Sequence, residues 1–209
     1  MELFDIKIAQ TVAKELLKIE AVKLSPNQMF TWASGIKSPI YCDNRKILSF
    51  PETRDIVKQG LAEIIKAKYS DVDVIAGVAT GAIATGALVA DILGKPFIYI
   101  RSEAKNHGLG NRIEGVLNAG QKVVVIEDLV STGGSSLKAI EAIHERGNQV
   151  LAMVAIFTYN LPIALSNFKA ANCELTVLSN FDVLIEFAKE QNYISNDDLQ
   201  VLNSWKSNF

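Results

Sequence analysis

Residues 123–136 read VVVIEDLVSTGGSS, and this stretch decides the fold. The four branched apolar residues at its start predict a strand, from Val123 to Glu127, that is buried on both faces. Two adjacent acids come at its end, and a short turn of hydroxyl side chains and glycines then leads into a helix from Ser135 to Arg146. A buried strand, a polar turn and a helix in this order are typical of an α/β protein with a parallel sheet.

The acids and the turn behind them also predict a ligand. Glu127 and Asp128 are costly to bury unless they meet ligand hydroxyls, a metal or cations. The backbone N–H groups of residues 132–135 would point outward at a helix N-terminus, where anions bind. A sugar diol that carries a phosphate satisfies both requirements. A salt bridge and an ordinary helix cap explain either feature alone, but not the whole string.

Two other phosphate-binding motifs fit the chain poorly. A Walker A loop is excluded because no GKS or GKT follows the glycines of residues 133–134. A Rossmann fingerprint needs GxGxxG after a strand, and the glycines of residues 77–81 have the wrong spacing for it.

Composition narrows the class of protein. The 209 residues carry 21 basic and 23 acidic side chains, a net charge of −2, which argues against a nucleic-acid-binding surface. Cys42 and Cys173 form no CxxC motif, so neither a disulfide framework nor a zinc site is expected. The acidic first residues, MELFD, predict no signal peptide, and no apolar run approaches about 20 residues. We therefore expect a cytoplasmic protein that binds neither nucleic acid nor membrane.

The rest of the chain repeats the alternation of strands and helices. It predicts one α/β domain over residues 1–209, with a doubly wound, mainly parallel sheet flanked by helices. Residues 49–52, SFPE, have the pattern of a capping box, and Ser195 is expected to cap the last helix. The other expected strands are 30–35, 40–43, 72–78, 96–101, 150–157 and 175–178. The other expected helices are 5–20, 49–68, 81–93, 162–168, 182–190 and 196–205.

Two further polar segments follow strands of this sheet, and ligands in such sheets bind beyond the carboxyl ends of the strands. The spacing of residues 77–81, GVATG, by itself slightly favours a turn that serves only packing, but beside the first segment it fits a second phosphate-binding turn. Residues 101–115, RSEAKNHGLGNRIEG, form a long polar loop that is either solvated or a lid. A catalytic lid is favoured because Arg101 and Lys105 follow a strand that ends at the site. His144, among acids on a helix, is expected at the surface.

Three segments resemble known families. IEDLVSTGG at residues 126–134 resembles the phosphoribosyl pyrophosphate signature of the type I phosphoribosyltransferases. FTWASGIKSPIY at residues 30–41 resembles the substrate-hood motif of the orotate phosphoribosyltransferase family. Residues 101–115 resemble the mobile catalytic loop of the same family. The resemblance runs from about Phe4 to the C-terminus.

This resemblance implies a reaction and an architecture. Orotate and phosphoribosyl pyrophosphate, with Mg²⁺, would give orotidine 5′-monophosphate and pyrophosphate. Magnesium would be held mainly through the substrate, with no direct protein ligand. A small hood, made of about residues 1–48 and the C-terminal segment, would cover a core sheet of residues 49–178. The family also implies a homodimer in which each lid serves the neighbouring subunit's site.

The resemblance assigns roles to residues as well. The acidic pair would hold the ribose hydroxyls, the turn after it the 5-phosphate, and the lid cations the pyrophosphate. The implied catalytic residues are Lys105, His107 and Asp128. The implied residues for phosphoribosyl pyrophosphate are Arg101, Lys105, His107, Glu127, Asp128, Leu129, Val130, Ser131, Thr132, Gly133, Gly134 and Ser135. The implied residues for orotate are Ser131, Lys37, Tyr41 and Arg45.

The chain departs from the family pattern at several charged positions. Some members carry lysine where this chain has Ala33, Thr80 and Ser102. The hood arginine that others offer to the orotate carboxylate has no match near residues 159–160. We hypothesise that Lys37 or Arg45 supplies the missing cation, because both lie in or beside the hood motif.

Two alternative functions stay open at this point. A purine or uracil phosphoribosyltransferase of the same fold would share residues 127–135 but not the pairing of hood and lid. A non-catalytic sensor of phosphoribosyl pyrophosphate that regulates transcription or RNA would need a basic surface, which the net charge of −2 disfavours.

Overall fold

The computed structural model describes residues 1–32, 35–101 and 112–208. Its strands are β1 (Glu2–Leu3), β2 (Val22–Leu24), β3 (Phe30–Thr31), β4 (Lys37–Ser38), β5 (Ile40–Cys42), β6 (Val74–Val78), β7 (Phe97–Ile100), β8 (Ile113–Glu114), β9 (Lys122–Val130), β10 (Gln149–Thr158) and β11 (Leu175–Asn180). Its helices are α1 (Ile6–Lys18), α2 (Pro51–Lys68), α3 (Ile83–Leu93), α4 (Gly134–His144), α5 (Pro162–Ala170), α6 (Phe181–Glu190) and α7 (Asn196–Ser207), with a 3₁₀ helix at Asn44–Ser49. Among these described helices, none is both long and apolar enough to cross a bilayer.

Seven strands form the central sheet, in the order β1-β11-β10-β9-β6-β7-β8. Neighbouring strands run parallel except β8, which is antiparallel to β7. One face, with Ile75 and Ile126, packs against α1, α2, α3 and α6, and the other, with Val74 and Val125, packs against α4 and α5. The prediction of a doubly wound, mainly parallel sheet is confirmed, and burial on both faces explains the unbroken apolar run of β9.

Strand β9 is longer than predicted, and this changes the setting of the acids. On one side its pairing with β6 ends at Ile126, opposite Gly77. On the other side its pairing with β10 continues to Val130, opposite Thr158. The prediction that the strand ends at Glu127 is therefore wrong. Because only one edge of β9 is paired with a strand beyond Ile126, the acids lie in a stretch that has no strand partner on its other edge.

The N-terminal region is divided differently from the expected hood. Strand β1 pairs with β11 at the edge of the central sheet, and α1 buries its apolar side chains in the same core. Residues 2–18 therefore belong to the main body, and the core sheet is not confined to residues 49–178. Two small antiparallel sheets follow, β2 with β5 and β3 with β4. The expected strands 30–35 and 40–43 thus pair with other partners and not with each other.

Of the two predicted helix caps, one is wrong and the other is confirmed. Ser49 belongs to the 3₁₀ helix, and Phe50 occupies the N-cap of α2 without a side-chain hydrogen bond, so the predicted capping box is wrong. Pro51 instead starts the helix, where the missing N–H costs nothing. Ser195 and Asp198 do form the predicted capping box of α7. Gly94 ends α3 in the left-handed conformation, with φ of 61°.

Candidate active site

The carboxyl ends of β6, β7 and β9 open into a cavity of about 700 Å³. Its walls come from five places: the end of β5 with the 3₁₀ helix, the turn after β6, the end of β7, the end of β9, and the start of α4. The lining residues are Cys42, Asp43, Arg45, Val78, Ala79, Thr80, Gly81, Ile100, Arg101, Glu127, Asp128, Leu129, Ser135, Lys138 and Ala139. Two of the predicted segments, 77–81 and the stretch around 127–135, therefore meet at one site, together with Arg101 at the start of the third.

Glu127 lies in the wall of this cavity and is only 5% exposed. The Ser136 hydroxyl donates a hydrogen bond to its Oε2 over 2.9 Å, and the Asp128 backbone N–H donates to its Oε1 over 3.1 Å. Burial raises the pKa of Glu127 well above its ordinary value, and the neighbouring Asp128 carboxylate adds to this. The free protein therefore holds this carboxyl group ready for a ligand hydroxyl or cation.

Asp128 is half-buried, and burial also raises its pKa. Gly81 in the turn after β6 lies directly against its side chain. A Cβ at that position would come within 2.6 Å of Asp128 Oδ1, and closer still to Oδ2. Only a residue without a side chain leaves room for the carboxylate here, so the turn of residues 79–81 and the end of β9 form one fitted unit.

Asn44 joins the N-terminal region to the acidic pair. Its side-chain amide donates to the backbone carbonyl of Asp128 over 2.6 Å, and the Cys42 thiol donates to its Oδ1 over 3.4 Å. Asn44 is 4% exposed, so this bond lies inside the protein. Asn44 was not predicted from the sequence, because no local pattern reveals a partner 84 positions away.

Residues of α5 hold the turn after β9 in place. Asn167 donates its side-chain amide to the Thr132 carbonyl over 2.9 Å. Gly133 is the N-cap of α4 with φ of 83°, and a Cβ there would come within 2.8 Å of the Phe168 ring. Both contacts hold the turn that was predicted to bind phosphate in a single shape, which preorganises its backbone N–H groups.

The residues predicted in this turn have different surroundings. Ser135 and Leu129 line the cavity, and the side chain of Val130 is buried in the core beneath it. Ser131, Thr132, Gly133 and Gly134 lie in the same turn, but outside the set of lining residues. The predicted role for Val130 can therefore involve only its backbone.

The predicted cations separate into three groups. Arg45 and Arg101 line the cavity, where Arg45 forms a two-point ion pair with Asp43 over 2.6 and 2.9 Å and Arg101 lies 3.6 Å from Glu114. The Asp43–Arg45 hydrogen bonds lower the pKa of Asp43. Lys37, outside the lining, donates to Thr31 Oγ1 over 2.6 Å. Lys105 and His107 lie outside the described residues.

Three other positions complete the comparison with the predictions. Tyr41 is 41% exposed and is not a lining residue. Lys138, which sequence analysis missed, does line the cavity. Its spacing of three from Ser135 places both on one face of α4, so helical periodicity was a usable signal. His144 is at the surface, as predicted, with its ring Nδ1 3.1 Å from the Asn148 carbonyl oxygen.

The acidic side chains of the cavity suit a metal ion that binds together with a substrate. In the part of the chain that the structure describes, no group of three or more His, Cys, Asp or Glu side chains could hold a metal ion. The oxygens of Glu127 and Asp128 are nevertheless the hard donors that magnesium prefers, and magnesium commonly retains water and substrate oxygens as its other ligands.

An aromatic cluster holds the small sheets against the main body. Trp32 stacks on Tyr159 with ring centroids 4.9 Å apart, and Trp205 of α7 meets Trp32 edge-on at 5.7 Å. The Trp205 indole N–H donates to the Lys37 carbonyl over 3.0 Å, and that of Trp32 donates to the Ile40 carbonyl over 3.1 Å. The cluster thus connects α7 and Tyr159, which directly follows β10, to the segments that form the small sheets.

Comparison with known proteins agrees with this geometry. The model of the phosphoribosyl transferase domain family matches residues 45–188. The chain is 53% identical over 199 residues to an orotate phosphoribosyltransferase of Porphyromonas gingivalis, covering 95% of each chain. It is 54% identical over 203 residues to that of Listeria innocua, covering 97% of each. The crystal structure of orotate phosphoribosyltransferase from Aeropyrum pernix has a TM-score of 0.76 at 27% identity, over 88% of this chain and 99% of that one.

Proposed function

The chain belongs to the orotate phosphoribosyltransferases, within the phosphoribosyl transferase domain family, and we propose that it converts orotate and phosphoribosyl pyrophosphate into orotidine 5′-monophosphate and pyrophosphate. This reaction is a step in the biosynthesis of UMP. The observation that carries the proposal is the Glu127–Asp128 pair on the open edge of β9, within one cavity with the start of α4.

The charges around the cavity suit the chemistry of this transfer. Breaking the bond to pyrophosphate builds positive charge on the ribose ring and negative charge on the leaving group. Carboxylates at 127 and 128 can hold the ribose hydroxyls and stabilise the first charge, while cations such as Arg101 oppose the second. Preorganised groups of this kind are each worth roughly 10²–10³ in rate.

Magnesium belongs to the proposed reaction as a companion of the substrate. Glu127 and Asp128 would hold the ribose hydroxyls of the substrate, and magnesium would be held mainly through substrate oxygens and water. When bound, the ion would neutralise charge that develops on the leaving group.

The missing contact to the orotate carboxylate is best assigned to Arg45. Arg45 lines the cavity and Lys37 does not. We expect Arg45→Ala to raise the KM for orotate about tenfold or more, since a hydrogen bond to a charged group is lost. Lys37→Ala serves as the matched control, and an unchanged KM in the Arg45 variant would contradict the assignment.

The remaining roles rest on the resemblance of the sequence to the family. We propose that Lys105 and His107 close over the site from the lid and contact the pyrophosphate, with Asp128 as the third catalytic residue. We also propose a homodimer in which each lid serves the partner's site. The two small sheets and α7 would act as the hood over the orotate, since Cys42 of β5 lines the cavity and the aromatic cluster joins α7 to these sheets. Cytoplasmic location is supported by two free cysteines, which are common in reducing compartments.

One assay tests the proposed function directly. Purified protein is mixed with orotate, phosphoribosyl pyrophosphate and magnesium, and the ultraviolet absorbance of orotate is followed. We expect orotate to be consumed only when all three are present. Turnover of adenine or uracil with none of orotate would identify a different phosphoribosyltransferase.

A further inference from the structure

We propose that Lys138 binds the 5-phosphate of the substrate, as a cation supplied by α4 itself; this inference rests on the proposed function. Lys138 lies in the second turn of α4, three residues after Ser135, and both line the cavity together with Asp128. Residues three apart lie on the same face of a helix, so the Lys138 ammonium group and the Ser135 hydroxyl face the same part of the cavity.

The N-terminus of α4 adds a second positive partner for an anion. A helix N-terminus carries a partial positive charge that acts within the first turn, so it attracts an anion there. The first turn of α4 contains no acidic residue that would compete with a bound anion. An anion at the N-terminus would therefore be attracted both by the helix end and by the lysine of the next turn.

The other cations of the cavity are already paired. Arg45 forms its ion pair with Asp43, and Arg101 lies 3.6 Å from Glu114. Across residues 1–32, 35–101 and 112–208, no ion pair joins Lys138 to an acid. Lys138 is therefore the lining cation with most of its charge available for a ligand.

The location favours the 5-phosphate over the pyrophosphate. Lys138 and Ser135 lie on the same helix, which directly follows the turn that Asn167 holds in place. The backbone N–H groups of residues 131–135 would bind a single phosphate there. Arg101, by contrast, follows β7, which is separated from β9 by β6. The two cations thus approach the cavity from different sides, and the sugar between them would place one end of the substrate near each.

The test compares three ligands on the full-length protein. Lys138→Met removes the charge and keeps most of the apolar stem. Dissociation constants are measured by calorimetry for phosphoribosyl pyrophosphate, orotidine 5′-monophosphate and pyrophosphate. We expect the first two to bind about tenfold or more weakly, as for loss of a charged hydrogen bond, and pyrophosphate to bind as in the wild type. Lys138→Arg should restore much of the loss, because guanidinium also binds phosphate.

Lys66→Met on the exposed face of α2 is the matched control, since it makes the same change of charge outside the cavity lining. Unchanged affinity for orotidine 5′-monophosphate in Lys138→Met would overturn the inference, and so would an equal loss for all three ligands. A failure of the wild type to consume orotate would instead refute the proposed function, because binding of phosphoribosyl pyrophosphate is measured separately.

Discussion

At the scale of single residues, the acidic pair lowers the stability of the folded protein near neutral pH while it provides carboxylates for a ligand. Burial raises the pKa of both Glu127 and Asp128, so the folded protein binds protons more tightly there than the unfolded chain. The free energy of unfolding therefore decreases as the pH rises from about 4, where carboxyl groups of the unfolded chain begin to ionise, toward the higher folded-state pKa.

The raised pKa of Glu127 predicts that Glu127→Gln stabilises the protein near neutral pH. The amide is uncharged at all pH values and can still accept from the Asp128 N–H and donate to Ser136. We expect a gain in the free energy of unfolding of at least about 1 kcal/mol near pH 7, the equivalent of one pKa unit, that vanishes below about pH 4. Urea unfolding at several pH values measures it. Exposed Glu63→Gln is the control, and a gain that does not change with pH would contradict the explanation.

The contact between Gly81 and Asp128 gives a second prediction. Gly81→Ala forces a Cβ into the carboxylate, and such overpacking costs about 1–3 kcal/mol. In an Asp128→Ala background the clashing atoms are gone, so the same change should cost little. A double-mutant cycle on unfolding free energies measures this coupling. Gly134→Ala, where the nearest atom to the new Cβ is Thr132 Oγ1 at 3.9 Å, is a control for added side-chain volume. Equal costs in the two backgrounds would show that the contact is not the cause.

At the scale of elements, α7 links the C-terminal segment to the two small sheets. Its N-terminus is held by the Ser195–Asp198 capping box, and its Trp205 contacts Trp32 and the Lys37 carbonyl. Loss of the cap should therefore loosen the aromatic cluster as well as the helix.

Ser195→Ala tests this role of the cap. We expect a loss of about 1 kcal/mol in the free energy of unfolding, typical of a serine N-cap, together with a change in tryptophan fluorescence. Urea unfolding followed by fluorescence measures both. Ser204→Ala on the same helix is the matched control because Ser204 is exposed and is not a cap. If the two variants behave alike, the cap does not hold α7 in place.

At the scale of the whole molecule, the proposed shared lid predicts complementation between inactive variants. Lys105→Ala damages the lid, and Asp128→Asn damages the cavity beneath the partner's lid. A mixed dimer of the two has one intact site of two. Random reassortment in a symmetric dimer then restores about a quarter of wild-type activity.

The measurement mixes the two purified variants, exchanges subunits under mild denaturant and assays orotate consumption. Each variant treated alone provides the baseline. A mixture no more active than its parents would mean that each lid closes over its own subunit's site.

The sequence predicted the structure correctly where that structure depends on residues close together in the chain. The apolar run at 123–126 predicted the buried strand, and Ser195 with Asp198 predicted a cap, because both depend on residues a few positions apart. The capping box predicted from SFPE at residues 49–52 was wrong because Ser49 is the last residue of the preceding 3₁₀ helix. The length of β9 was also missed, since it depends on β10 continuing where the pairing with β6 ends.

The amino-acid sequence was sufficient to predict the parallel α/β sheet, the acidic pair and the glycine turn beside it. A strand buried on both faces needs a continuous apolar run, and a tight turn needs glycine, so both are visible in a few neighbouring residues. The tertiary structure alone decided which cations face the cavity, that Asn44 holds the Asp128 carbonyl, and that residues 2–18 join the main body. These features arise from contacts between residues far apart in the chain, and such contacts depend on where whole elements pack.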